Sequence, residues 1–133
     1  MKIKIKFFED ELVNAIGTGI YEIYVQANNR EELFYVGESV FVLVRCATHL
    51  YEIAKGNGYL GFTKETIEND NITIIFKLSD SVSDEDSVSD KKERRKKENE
   101  IIQTKNPKMQ SGISDRVKSI ENMIIEMTNF LNE

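Results

Sequence analysis

The 133-residue chain has one cysteine, one proline and no tryptophan. A lone Cys46 cannot close an internal disulfide, so the fold does not depend on oxidation. No apolar run approaches the roughly 20 residues of a membrane span. The opening MKIKIKFFEDEL carries basic residues but no apolar stretch long enough for a signal peptide. These shortages predict a cytoplasmic protein with no membrane association. The basic surplus expected of a nucleic-acid binder is also missing, since 18 Lys and Arg face 23 Asp and Glu for a net charge of -5. That total hides two opposed blocks. SDSVSDEDSVSD (79–90) has five acids and no base, and KKERRKK (91–97) has six bases against one acid. A polyanionic partner is therefore only weakly disfavoured.

What is present suits one globular domain with a real core, at 40% hydrophobic and 31% charged residues. KIKIKFF alternates lysine with apolar residues and reads as an edge strand. EDELVNAIG reads as a short helix ended by Gly17. GIYEIYV and ELFYVG, rich in β-branched and aromatic residues, read as a hairpin with QANNRE as a longish loop. SVFVLVRCATHLYEIAKGNG reads as a buried helix with Ser39 as its N-cap. NITIIFKL (71–78) is a strand by composition. Asp90 is expected to cap a helix through KKERRKKENEIIQTK that stops near Asn106-Pro107, because proline disfavours helix in the residue before it. The doubled SVSD of the acidic block reads as a solvated, mobile loop. In the last segment Val117, Ile120, Met123, Ile124, Met127 and Leu131 recur at helical spacing. They form a packing face or, on the alternative reading, a homodimer face on the C-terminal helix.

Several polar residues fall where burial is expected. Glu98 lies three and four residues before Ile101 and Ile102, so it shares their helix face. Either it reaches water at the edge of that face or it is paired or holds a cation. Arg45 and His49, four apart, share a face of the helix after the hairpin.

Gly19-Ile20-Tyr21, then Tyr35-Val36-Gly37, then Arg45 eight residues on, His49 four beyond, and ENEIIQTKNPKMQ (98–110) form an ordered set that resembles the GIY-YIG nuclease family. The resemblance spans about residues 15–112. It implies an α+β fold, a small three-stranded antiparallel sheet flanked by helices, with the acidic segment 79–90 as an insertion and 113–133 as an added amphipathic helix. It also implies metal-dependent hydrolysis of DNA phosphodiester bonds. Glu98 takes the metal-ligand position, for Mg²⁺ or Mn²⁺. Arg45 clamps the phosphate, Tyr21 or Tyr35 serves as base, and His49 assists. A phenol with an ordinary pKa of about 10 must then be shifted down or relieved of its proton through a neighbour. Gly37, Lys91, Arg94, Arg95 and Gln110 are the expected substrate contacts. Gln110 replaces the family's asparagine, and Glu38 stands where relatives often have lysine. Two other readings compete: a non-catalytic nucleic-acid-binding or regulatory protein on the same fold, and an interaction domain using the Met-rich C-terminal helix.

Overall fold

A computed structural model describes residues 1–80, 90–110 and 118–133. The acidic repeat at 81–89, and Val117 of the helical stripe, lie outside the described residues. Four strands form one sheet: β1 (Lys4–Phe7), β2 (Gly19–Ala27), β3 (Arg30–Ser39) and β4 (Thr73–Leu78), in the order β1-β4-β2-β3. Helices α1 (Val42–Ala54), α2 (Lys91–Lys105) and α3 (Ile120–Asn132) flank it. Among the described residues, no helix is long and apolar enough to cross a membrane.

The expected three-stranded antiparallel sheet is thus corrected to a mixed four-stranded one. β2 pairs antiparallel with β3 and β4, and β1 runs parallel to β4 with Lys4 opposite Thr73. The physical reason lies in the outer edge of β4, which would otherwise present unpaired backbone groups. The KIKF strand covers it, turning Ile5 and Phe7 inward and its lysines out. Phe7 and Phe8 then stack on Phe76.

The hairpin is tighter than its sequence suggests. Asn28 and Asn29 both adopt positive φ, 55° and 63°, and alone join β2 to β3. Asparagine tolerates that conformation better than most residues, which allows a two-residue turn. A bulge follows, because Ile23 pairs with Tyr35 but Tyr24 pairs with Leu33. Phe34 is the extra residue, and both Phe34 and Tyr35 reach the larger core.

That core fills the sheet face covered by α1, α3 and the loop between α1 and β4. A smaller core of Ile20, Val36, Ile101 and Ile102 lies under α2. Helix α1 begins at Val42 rather than at Ser39, whose hydroxyl instead accepts from the Phe41 amide. The expected helix after Phe8 contracts to one 3₁₀ turn, Val13–Ala15. Helix α2 matches its expected span, with Asp90 accepting from the Lys92 amide and Asn106 ending it in the left-handed region. Of the expected α3 stripe, Met123 and Met127 are buried, Ile124 and Leu131 are half-buried and Ile120 is exposed; Phe130, outside that stripe, is buried and meets Phe34 edge-on.

Candidate active site

The two tyrosine–glycine triplets meet because β2 and β3 are antiparallel neighbours, which sets Tyr21 opposite Gly37. Tyr21 lies across that glycine. A Cβ on Gly37 would stand 2.2 Å from Tyr21 Oη and 2.3 Å from Cζ. Gly37 is therefore required for space, and its φ is ordinary. Gly37→Ala is expected to cost about 3 kcal/mol, the upper end for overpacking a core, and about 10 °C in thermal midpoint for a chain of this size. Calorimetry checks this; an unchanged midpoint would mean that the Tyr21 ring is free to move.

Tyr21 and His49 are both 1% exposed, and Tyr21 Oη lies 2.7 Å from His49 Nε2. His49 Nδ1 lies 2.6 Å from Tyr59 Oη. The Tyr35 ring packs edge-on to His49 at 5.1 Å between centroids. Burial drives the protonation of this group. It pushes the Tyr21 phenol far above its ordinary range, and the nearby Tyr35 adds to that effect. It raises Tyr59 to about 12. It lowers His49 to about 3, with the Arg45 charge adding to the effect. His49 is thus a neutral imidazole between two protonated phenols. Arg45 itself is exposed on α1, and its charge favours phenolate at Tyr21 and Tyr59 but does not overcome burial. Of the two routes open to a tyrosine base, the environment suits proton transfer through a neighbour, not a lowered pKa.

Tyr59 was not among the expected site residues. It sits in a 3₁₀ turn, Tyr59–Gly61, between Gly58 at φ 95° and Leu60 at φ 51°. A leucine at positive φ stores strain of roughly 1–3 kcal/mol. Helix α3 covers the turn: added Cβ atoms at Gly58 and Gly61 would meet Ile120 Cγ2 and the Met123 carbonyl, each at 2.6 Å.

The remaining expected residues gather around β3. Gln110 Oε1 accepts from the Val36 amide and its Nε2 donates to the Val36 carbonyl, so its amide substitutes for a neighbouring strand. The role it fills here is to hold the backbone between Tyr35 and Gly37. Arg94 is buried, with Nε 2.6 Å from Glu38 Oε2, and Arg95 approaches Glu38 Oε1 at 3.7 Å. Lys91 and Arg95 are exposed on the first turns of α2. Glu98 is fully buried, one turn beyond Arg94 and on the face that sets Ile101 and Ile102 against Val36.

Among the described residues, no group of three or more His, Cys, Asp or Glu side chains is placed to hold a metal. A donor set of one carboxylate does not suit zinc, which takes three or four protein ligands. By its chemistry one carboxylate suits a hard, oxygen-seeking cation such as Mg²⁺, although Glu98 is fully buried and a hydrated cation would reach it only if that site opened to solvent. A second carboxylate was also missed. Glu22, fully buried on β2, accepts from Tyr24, Ser79 and Lys105. Compared with protein-family models, curated proteins and solved structures, the chain matched none.

Proposed function

We propose that this chain is a metal-dependent endonuclease that hydrolyses phosphodiester bonds in DNA, as its GIY-YIG-like motifs imply. The observation that carries this reading is the hydrogen-bonded chain Tyr21–His49–Tyr59 at the meeting point of the two triplets, within the field of Arg45. Hydrolysis needs a proton removed from water and negative charge stabilised on phosphate. A buried phenol whose hydroxyl bonds to a neutral imidazole can take up a proton while passing on its own. It then need not exist as phenolate. Arg45, ionised and exposed, suits the phosphate clamp, because its fork of donors matches phosphate oxygens. Glu98 would hold Mg²⁺ or Mn²⁺, which when bound supplies Lewis-acid polarisation of a phosphate oxygen. Exposed Lys91 and Arg95 suit backbone contacts, whereas Arg94 and Gln110 serve as positioning residues. A lone thiol such as Cys46 accords with a cytoplasmic setting.

The burial of Tyr21 and His49 favours a second reading, in which the same fold binds nucleic acid without cutting it. Nicking of supercoiled plasmid in Mg²⁺ or Mn²⁺ separates the two. The nuclease is expected to relax the plasmid, and EDTA or Glu98→Ala is expected to reduce relaxation to background. Glu98→Gln, with the thermal midpoint of each variant, controls for loss of folding. Full activity in folded Glu98→Ala would sink the metal assignment. A folded wild type that binds DNA but never nicks would transfer the conclusion to the second reading.

A further inference from the structure

We propose that Tyr59 fixes His49 as the Nδ1–H tautomer and so completes a proton path from buried Tyr21 to the surface. The tautomer follows from the geometry alone, and only its catalytic use rests on the nuclease reading.

The argument is an accounting of donors. A neutral imidazole has one N–H and one bare nitrogen. Among the described residues, the hydrogen-bond partner of Tyr21 Oη is His49 Nε2. If Nε2 carried the proton, Tyr21 would accept, and its own O–H would be buried with no acceptor. An unsatisfied buried donor costs about 1–3 kcal/mol, whereas an unused lone pair costs little. Tyr21 therefore donates to Nε2. His49 then donates from Nδ1 to Tyr59 Oη, which is only partly buried and can turn its own O–H to water. Charged and titratable neighbours come from each packed element: Arg45, Cys46 and Glu52 of α1, Tyr21 of β2, Tyr35 of β3, and Tyr59 itself. The strained 58–61 turn, pressed by α3, holds Tyr59 at this distance.

In use, the path balances. One proton of the attacking water passes to Tyr21 Oη as the Tyr21 proton moves to His49 Nε2. The Nδ1 proton moves to Tyr59 Oη, and the Tyr59 proton enters solvent. The oxygen–phosphorus bond forms with the electron pair freed on the water oxygen as the bond from phosphorus to the leaving sugar oxygen breaks, and that oxygen takes up one proton from solvent. One proton returning from solvent through Tyr59, with one leaving through Tyr21, restores the Nδ1–H form.

His49 is the chain's one histidine, so ¹⁵N-imidazole NMR of the full chain gives a single set of ring signals. The wild type is expected to show a protonated Nδ1 and a bare Nε2. In Tyr59→Phe, Nδ1–H loses its acceptor, so the spectrum is expected to become a mixture of tautomers. Its kcat is expected to fall about 10²-fold with KM unchanged. A bare Nδ1 in the wild type would overturn the tautomer assignment, and an unaltered ring spectrum in Tyr59→Phe would overturn the claim that Tyr59 fixes it. If the wild type nicks plasmid and Tyr59→Phe nicks equally well, the proton path falls and the nuclease reading stands. A wild type with protonated Nδ1 that never nicks leaves the assignment standing and removes the nuclease.

Discussion

Lys105→Ala is expected to lower stability by roughly 3 kcal/mol, the low end for removing one partner of a buried ion pair. Glu22 lies in a strand buried on both faces, and both of its oxygens are hydrogen-bonded. Oε2 accepts from Lys105 Nζ at 2.9 Å and from Ser79 Oγ at 3.1 Å, and Oε1 accepts from Tyr24 Oη at 3.0 Å. Lys105 alone among these donors brings a full charge, and it also reaches the exposed Asp80 at 3.1 Å. Removing it strands a carboxylate under α2 with two neutral donors. Glu22→Gln is expected to cost less, because the charge then stranded is an ammonium that keeps Asp80 and is a quarter exposed. Urea unfolding at constant m-value measures both. A larger loss in Glu22→Gln would reverse the assignment of which charge depends on the pair. The lysine titrates above its ordinary range: burial lowers its pKa, but the hydrogen bonds to Glu22 and Asp80 outweigh burial. A pKa raised in the folded state means that this stability is full below about pH 10.5 and is lost only in stronger alkali.

The pair also shows where sequence reasoning ends. Its partners stand 83 residues apart, and nothing in GIYEIYV marks its glutamate beyond being acidic among apolar neighbours. The hairpin was legible because enrichment in β-branched and aromatic residues is a local signal. The place of β1 was not, since its partner β4 lies far along the sequence, with Lys4 pairing with Thr73. The spacing put Glu98 on the face of Ile101 and Ile102 but left open whether it reaches water; in the structure it is fully buried. The same spacing marked Arg94, since 94, 98, 101 and 102 form one helical stripe. Its place within a basic run obscured that signal. Tyr59 left no periodic trace, because a turn with three left-handed residues follows no repeat. The pairing of β1 and the place of a loop tyrosine depend on long-range packing, which a local pattern does not encode.

Acid is expected to destabilise the chain through His49, by about 1.4 kcal/mol per pH unit from this residue alone. The unfolded histidine takes up a proton near pH 6.5, whereas burial first and the Arg45 charge second hold the folded one down to about 3. Across that interval the unfolded state binds the extra proton. The contribution is therefore full above pH 6.5 and is lost as pH falls toward 3. Between pH 6.5 and 4.5 this amounts to roughly 2 kcal/mol, because the unfolded histidine is only half protonated at pH 6.5. Carboxylates that also titrate there do so in any variant, so the useful quantity is the difference between wild type and His49→Gln. At pH 7 the variant is expected to be the less stable, because a glutamine amide cannot bridge Tyr21 and Tyr59 as the ring does. That gap should narrow steadily on acidification, and the unfolding of His49→Gln should take up one proton fewer. A gap that stays constant from pH 7 to 4.5 would mean that His49 opens to water and charges within the folded protein. The phenol–imidazole chain would then be a wet, mobile site in acid, and no longer a sealed one.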